Sequence, residues 1–342
     1  MLKYEITPLL LERIKNIHLL MAELKRFKLS SVVLYNLQRE ASEHSAYSST
    51  SIEGNPLPLT DVKRILKTRP QHLQNSEKEV VNYNEALLWL NTTKNAFDLK
   101  LVLQTHQKVM HQLLPKSLTG KIRNEPVFVN DPKLRKTIFW PPDYQDVNSL
   151  MNELIQFTKL NLKKLDPIIL AGLFHKQFVI IHPFLDGNGR TVRLMTKALL
   201  AHMDFDTFHL FSFENYYNKN VANYFLNVGA KGNYYDIYKK INFTGWLEYF
   251  AAGVLDELYR VKKNIELATD ISLIQNPNTT LSAEQKKIIS YIEQHGFIAD
   301  KDYAKITDRA KATRTGDFNK LISLGLIQKA GLGPSTHYIL NS

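Results

Sequence analysis

Residues 182–193 read HPFLDGNGRTVR, and this stretch decides how the surrounding chain folds. The apolar run PIILAGLFHKQFVII at 167–181 precedes it, and RTVRLMTKALLAHM at 190–203 carries apolar residues at helical spacing. Glycines between the two runs permit a tight loop. The sequence therefore predicts a helix, a short loop and a second helix, with the loop ending at a helix N-terminus that favours an anion.

The polar residues of this stretch suit the handling of a nucleotide triphosphate. His182 can accept a proton from an attacking hydroxyl, and Asp186 offers the oxygen ligand that Mg²⁺ prefers. Arg190 and Arg193 lie three positions apart, so both can reach phosphate oxygens from one side of a helix. The backbone that would approach the anion belongs to Gly187, Asn188 and Gly189. Each residue alone is common in ordinary turns, but their combination between two apolar helices favours a nucleotide site.

This stretch resembles the signature of the Fic family, HPFx[DE]GNGRxxR, at every defined position. The resemblance implies a mainly helical fold and an enzyme, a protein adenylyltransferase that moves AMP from ATP to a Ser, Thr or Tyr hydroxyl of a target protein. It also implies site roles for His182 as the general base, Asp186 as the Mg²⁺ ligand and Gly187–Gly189 as the anion-binding backbone. Arg190 and Arg193 would hold the outer phosphates of ATP.

A second motif lies far upstream, where SSTSIEGN closes a predicted helix over 29–54. Gly54 suits the position that ends a helix, which places the acid Glu53 against the negative end of the helix dipole. An acid there invites a cationic partner. The segment also resembles the inhibitory motif [ST]xxxE[GN] of many Fic proteins, with Ser49 and Glu53 at its defined positions. The resemblance implies that Glu53 pairs with Arg193 and thereby hinders ATP; an ordinary surface glutamate is the alternative.

Residues 126–142 read PVFVNDPKLRKTIFWPP, in which two β-prone runs, Pro126–Asn130 and Thr137–Trp140, flank a polar turn. This pattern predicts a β-hairpin. The resemblance implies that the hairpin over 126–140 is a flap that covers the site and docks the target segment as an added strand. A plain surface hairpin is the alternative, although its many apolar residues must face a core, a ligand or a partner.

The rest of 60–165 is predicted to be helical by its periodicity. Residues 212–233 are dense in Tyr and Asn, and the resemblance implies an aromatic-rich helix that closes the nucleotide site, with Tyr224 as a candidate. Residues 241–266 show the pattern of a long amphipathic helix. His175, on the helix before the loop, is predicted to be a structural, hydrogen-bonded histidine.

The pattern changes beyond the linker-like QNPNTT at 275–280. Helices are predicted at 282–296, Asp302–Ile306 and Arg309–Leu324, followed by a hairpin from LIQKAG and LGPSTHYIL. Three helices and a hairpin in this order resemble a winged helix-turn-helix domain.

The third of these helices carries basic residues that could contact DNA, namely Arg309, Lys311, Arg314 and Lys320. Residues 276–342 hold nine Lys and Arg against six Asp and Glu, a net charge of only +3. That is modest for a phosphate-binding surface, so contact with a protein is favoured over contact with DNA.

The 342 residues are 44% hydrophobic and 23% charged, as in a globular protein of two or three domains. The net charge of +11 is compatible with ATP, nucleic acid or acidic partners. The absence of cysteine excludes disulfides and cysteine-based sites, and suits a reducing cytoplasm. No apolar run reaches membrane-spanning length and the N-terminus lacks a signal-peptide pattern, so we expect a cytoplasmic protein without a membrane partner.

We expect three parts: an N-terminal helical region at 1–100 with the inhibitory helix, a catalytic core at 101–270, and the winged helix at 276–342. Two alternatives stay open, a hydrolase that removes AMP through the same site and a nucleotide-sensing regulator that binds DNA through 309–324. A homodimer, and a nucleotide other than ATP, also stay open.

Overall fold

The computed structural model describes residues 2–93, 95–131, 136–206, 209–275 and 281–341. Helices dominate it, which confirms the predicted fold class. In chain order they are α1 (Pro8–Leu24), α2 (Ser31–Ile52), α3 (Leu59–Thr68), α4 (Asn75–Thr92), α5 (Leu99–Val109), α6 (Tyr144–Asn161), α7 (Pro167–Ile181), α8 (Asn188–His202), α9 (Glu214–Lys219), α10 (Val221–Val228), α11 (Tyr234–Ile237), α12 (Thr244–Gln275), α13 (Ala283–His295), α14 (Asp300–Ile306) and α15 (Lys311–Ser323). The strands are β1 (Val129–Asp131), β2 (Lys136–Trp140), β3 (Gly232–Asn233), β4 (Ile327–Ala330) and β5 (His337–Leu340).

Helix α7 lies at the centre of the main hydrophobic core. It begins at Pro167, directly after the N-cap residue Asp166, whose side chain accepts a hydrogen bond from Ile168 N. It is mostly apolar and almost entirely buried, as suits a helix surrounded by protein, and α6, α8 and α12 pack around it. One continuous core joins α1, α2 and α5 to these helices. The two predicted helices around the loop are thus confirmed as α7 and α8.

The predicted hairpin is confirmed, with a shorter first strand. β1 and β2 are antiparallel, with Val129 opposite Phe139. The first strand begins at Val129 rather than Pro126, and the predicted turn falls partly on 132–135, outside the described residues. The structure adds a pairing that the sequence did not predict, because β3 lies parallel to β2 with Gly232 opposite Phe139. β1 is therefore one of the two edge strands of this three-stranded sheet, the other being the two-residue β3.

Three helix predictions were wrong in extent. Residues between α5 and β1 are irregular rather than helical, since Pro115, Gly120 and Pro126 interrupt the pattern. The single aromatic helix predicted at 212–233 is two short helices, α9 and α10, which meet at Asn220 in a non-helical conformation (φ −149°, ψ 81°). The long helix is α12, which starts later than predicted and continues to Gln275.

The C-terminal elements occur in the predicted order and enclose a hydrophobic core of their own. Ser282 caps α13 and Gly296 ends it in the left-handed conformation, as predicted. Helix α15 begins at Lys311 rather than Arg309. β4 and β5 pair antiparallel. The linker residues 276–280 lie outside the described residues. Among the described helices, none is long and apolar enough to cross a membrane.

Candidate active site

His182 lies where α7 ends, and its backbone reverses the chain. It adopts the left-handed conformation (φ 52°, ψ 62°), which is uncommon for a residue with a side chain. Its N–H still donates to Phe178 O at 2.9 Å, and its Nδ1 lies 3.3 Å from Val179 O. Desolvation by the surrounding protein lowers the pKa of His182 to about 4. The imidazole is therefore neutral near pH 7, and a proton on Nδ1 directed at Val179 leaves Nε2 free to act as a base.

The loop that follows is closed by the side chain of Asn188. Phe184 N donates to Asn188 Oδ1 at 2.9 Å, and Asn188 Nδ2 donates to Phe184 O at 2.8 Å. Gly187 has φ +76°, and a Cβ there would also come within 2.9 Å of Met110 Cγ. Only glycine fits at position 187, because the backbone has a positive φ and a side chain there would collide with Met110. The Asn188 side chain braces the loop, which leaves its backbone N–H as the group that could face an anion at the start of α8.

Both motif arginines are buried and keep unpaired donors. Arg190 Nη2 donates to Asp186 Oδ1 at 3.0 Å, while Arg193 Nε and Nη2 donate to Ser49 Oγ and Ser49 O at 2.8 Å. Within the described part of the chain, Arg190 Nε and Nη1 and Arg193 Nη1 have no hydrogen-bond acceptor, while Arg190 Nη1 lies 3.5 Å from Glu79 Oε1, within ion-pair range. Leaving buried N–H groups of a cation unpaired is costly. An anion at the N-terminus of α8 would supply the missing acceptors.

Helix α2 brings Glu53 to this same place. Glu53 Oε1 accepts from Arg193 Nη2 at 2.7 Å, and the guanidinium is fully buried. Burial alone would lower the pKa of Arg193, but the Glu53 charge outweighs it and raises that pKa above its ordinary value. A Cβ added to Gly189 would collide with the Glu53 carboxylate. The carboxylate therefore lies directly over the first turn of α8, as the sequence predicted for the pair of Glu53 and Arg193.

A buried polar cluster that the sequence did not reveal holds α2 in position. The carboxylate of Glu214 is completely buried and accepts from Tyr83 OH, from Lys197 Nζ at 2.9 Å and from Ser45 Oγ at 3.3 Å. Lys197 also donates to Ser45. Ser45 lies on α2 two turns before Glu53, so the cluster fixes the helix that presents the Glu53 carboxylate to Arg193.

Asp186 is the exposed member of the site, with 58% of its side chain accessible. The described residues include no group of three or more acidic or histidine side chains placed to hold a metal. A single open carboxylate fits Mg²⁺, which takes most of its ligands from water and phosphate when it binds beside a nucleotide. The residues present are compatible with Mg²⁺ on Asp186.

His106 supports the Asp186 backbone and was missed by sequence reasoning. Its ring stacks on Phe184 with centroids 3.7 Å apart. Gly120 N donates to its Nδ1 at 2.9 Å, so Nε2 carries the proton and donates to Asp186 O at 3.0 Å. Burial lowers the pKa of His106 to about 4, which keeps this arrangement intact at neutral pH.

His175 and Tyr224 belong to the core below the site. The His175 ring nitrogens lie 2.9 Å from Thr196 Oγ1 and 3.1 Å from Tyr224 OH, and the residue is completely buried. The structure thus confirms His175 as a hydrogen-bonded core histidine. Tyr224 stacks on Tyr217 at 4.5 Å, and burial raises its pKa to about 12. Tyr224 is thus a buried residue that contacts His175 and Tyr217.

The fold and this site define a class of protein. Residues 96–200 match the model of the Fic/DOC family, and these residues include α7, the loop and most of α8. The resemblance found in the sequence is confirmed.

Curated proteins named protein adenylyltransferase Fic are similar to this chain in sequence. The chain is 32% identical over 197 residues to protein adenylyltransferase Fic of Nematostella vectensis, covering 53% of this chain and 44% of that protein. It is 34% identical over 191 residues to the protein of the same name from Aedes aegypti, covering 52% and 36%. The chain therefore spans less than half the length of these curated relatives.

Solved structures show the same fold. A Fic family protein from Desulfovibrio desulfuricans G20 superposes with a TM-score of 0.63 at 19% identity, covering 100% of this chain and 98% of that one. Fic-1 (residues 134–508) from C. elegans superposes with a TM-score of 0.59 at 21% identity, covering 75% and 73%.

Proposed function

We propose that this chain is a protein adenylyltransferase that transfers AMP from ATP to a hydroxyl group of a target protein. The observation that carries the proposal is the set of buried, unpaired N–H donors on Arg190 and Arg193 at the N-terminus of α8, next to the neutral imidazole of His182. Donors of this kind fit the phosphates of a nucleotide. Curated relatives named protein adenylyltransferase Fic support the same activity.

In the proposed reaction, His182 Nε2 takes the proton of the target hydroxyl as its oxygen attacks the α-phosphorus of ATP. A new P–O bond forms, the bond from the α-phosphorus to the bridging oxygen breaks, and pyrophosphate leaves. Arg190, Arg193 and the backbone N–H groups of α8 hold the phosphates in line. Mg²⁺ held by Asp186 would neutralise phosphate charge. Catalysis rests on positioning and charge neutralisation, as in phosphoryl transfer generally.

The resting protein is inhibited under this proposal. Glu53 occupies one N–H of Arg193 at 2.7 Å and overlies Gly189, so the ATP phosphates must compete with a carboxylate for the same guanidinium. The carboxylate and the phosphates are both negatively charged, so they would also repel each other. The hairpin β1–β2 would dock the target segment along its free β1 edge, within 126–140.

A labelling assay tests the proposal. Wild type, Glu53→Ala and Glu53→Ala/His182→Ala are incubated with α-labelled ATP, Mg²⁺ and a cell lysate, and labelled protein bands are quantified. Glu53→Ala should raise labelling, including self-labelling, and the added His182→Ala should lower it by about 100-fold or more, the range typical of a lost general base.

Glu40→Ala is the matched control, since it removes a glutamate from the same helix at a position remote from Arg193. It should leave labelling at the wild-type level. Absence of label in every variant, with ATP and with other nucleotides, would overturn the proposal. Loss of label from a premodified protein that requires Glu53 would establish the reverse, hydrolytic reaction instead.

A further inference from the structure

Arg123 is a buried arginine for which the proposed transfer chemistry has no use. It lies in the irregular segment between α5 and β1 and is only 4% exposed. Its backbone N–H donates to Pro183 O at 2.9 Å, and its Nε donates to His182 O at 2.9 Å. It therefore holds the chain on two successive residues at the point where α7 ends.

The remaining guanidinium nitrogens reach the two ends of the hairpin. Nη1 donates to Glu125 O at 3.1 Å, and Nη2 donates to Pro142 O. Glu125 precedes β1 and Pro142 follows β2, so one side chain binds both ends of the β1–β2 hairpin and the backbone of His182. Only the planar fork of arginine can serve three such carbonyls together, because a lysine presents a single nitrogen.

The backbone of His182 needs such support. A non-glycine residue keeps φ at +52° only where its surroundings compensate for the strain. The bonds from Arg123 to His182 O and Pro183 O act directly on the peptide units that carry this conformation. By fixing these peptide units, they also orient the imidazole side chain of His182.

We propose that Arg123 is a positioning residue that fixes the backbone of His182 and couples it to the β1–β2 hairpin. A segment docked on the hairpin is then held at a set distance from the imidazole through one guanidinium. The structural coupling stands on the contacts above, while its effect on the rate rests on the proposed function.

Hydrogen exchange of the full chain, followed by mass spectrometry, tests the coupling without any transfer reaction. Arg123→Gln should raise exchange roughly tenfold or more in two separate segments, 136–142 and 182–187, because charge-assisted bonds to both are lost. Lys121→Gln is the matched control, since this exposed lysine loses the same charge two residues away. It should change neither segment. A rise in only one segment, or in neither, would overturn the coupling.

If Arg123→Gln raises exchange throughout the chain because the whole protein is destabilised, Arg123→Lys is used as the second test variant. It keeps the charge but cannot reach the carbonyls at both sites together. Exchange should then rise in at least one of the two segments while α12 keeps its wild-type protection. Wild-type exchange in both segments would overturn the inference.

Steady-state kinetics tests the consequence for the reaction. In the Glu53→Ala background, Arg123→Gln should lower kcat about tenfold or more and change KM for ATP by less than about threefold, because the guanidinium contacts backbone and not phosphate. A raised KM with unchanged kcat would make Arg123 a nucleotide-binding residue and refute the positioning role. Inactivity of Glu53→Ala itself would instead count against the proposed function and leave the exchange result to decide the coupling.

Discussion

Two pairs of arginines in this chain differ in how completely their N–H donors find acceptors. Arg190 and Arg193, at the start of α8, are buried and contact Asp186 and Glu53, yet they retain N–H groups without a hydrogen-bond acceptor among the described residues. In the C-terminal module, Arg309 Nη1 contacts both oxygens of Asp317 at 2.7 Å, and Arg314 Nε and Nη2 contact Asp300 at 2.8 Å. The comparison teaches that unpaired buried donors, rather than the local number of basic residues, indicate an anion site.

The comparison also bears on the DNA-binding alternative. The sequence placed four basic residues on the third helix of the module, but Arg309 precedes α15 and both arginines are neutralised by acids of the module itself. Lys311 and Lys320 are the exposed members of that set. Of the four basic residues offered for DNA contact, two are therefore engaged with acids of the module, which weakens the argument for a phosphate-binding helix.

The largest effect is expected from removing an arginine that would bind the ATP phosphates. In the Glu53→Ala background, Arg190→Ala should reduce kcat/KM for ATP roughly 10- to 100-fold, since charge-assisted bonds to phosphate are lost. Arg314→Ala should leave kcat/KM unchanged, because Arg314 lies in the C-terminal module, where Asp300 accepts from both its Nε and its Nη2. Initial rates of labelling measure both. Equal losses in the two variants would refute the distinction between the arginine pairs.

A smaller effect is expected from removing an acid of the C-terminal module. Asp317 is buried and accepts from Tyr303 OH at 2.8 Å and from Gln285 Nε2 at 3.1 Å. Asp317→Ala leaves these buried donors unpaired and should destabilise the module by about 1–3 kcal/mol. Chemical denaturation of the full chain, compared with the exposed control Asp308→Ala, measures the change. Unaltered stability would show that the arginine pairing in the module is not structural.

The smallest effect is expected in the pH dependence of kcat/KM between pH 7 and pH 4. Because desolvation lowers the pKa of His182 to about 4, kcat/KM of Glu53→Ala should stay on its plateau as pH falls from 7 and decline only near pH 4. An unfolded chain takes up protons on its histidines near pH 6.5, so between about 6.5 and 4 falling pH favours unfolding and stability decreases. Rate and melting temperature are therefore measured in parallel. A rate decline centred near pH 6.5 in the folded protein would contradict the desolvated site.

The sequence predicted those parts of the site whose residues are neighbours along the chain. HPFLDGNGRTVR carries a base, a carboxylate, glycines and arginines at helical spacing, so the loop between α7 and α8 followed from local rules. The contact of Glu53 with Arg193 spans 140 residues, yet the second motif supplied it. The resemblance, rather than periodicity, carried that prediction.

Other contacts could not be predicted because no local pattern encodes them. Arg123 and His106 act through bonds to the carbonyls of His182 and Asp186, which lie 59 and 80 residues away. An arginine in an irregular segment and a histidine on a helix give no sequence signal for such bonds. Glu214 was missed for the same reason, since a glutamate at a helix start usually lies in solvent. The third strand, β3, is only two residues long and falls below any recognisable pattern.

Gly189 has a consequence for how this protein can evolve. A side chain at that position would push the Glu53 carboxylate away, but it would also fill the space that a phosphate needs. Under the proposed function, a substitution at Glu53 relaxes inhibition without filling the phosphate space, whereas a side chain at position 189 does both. Under the proposed function, the level of resting activity can drift through substitutions on one helix while selection preserves the chemistry on another.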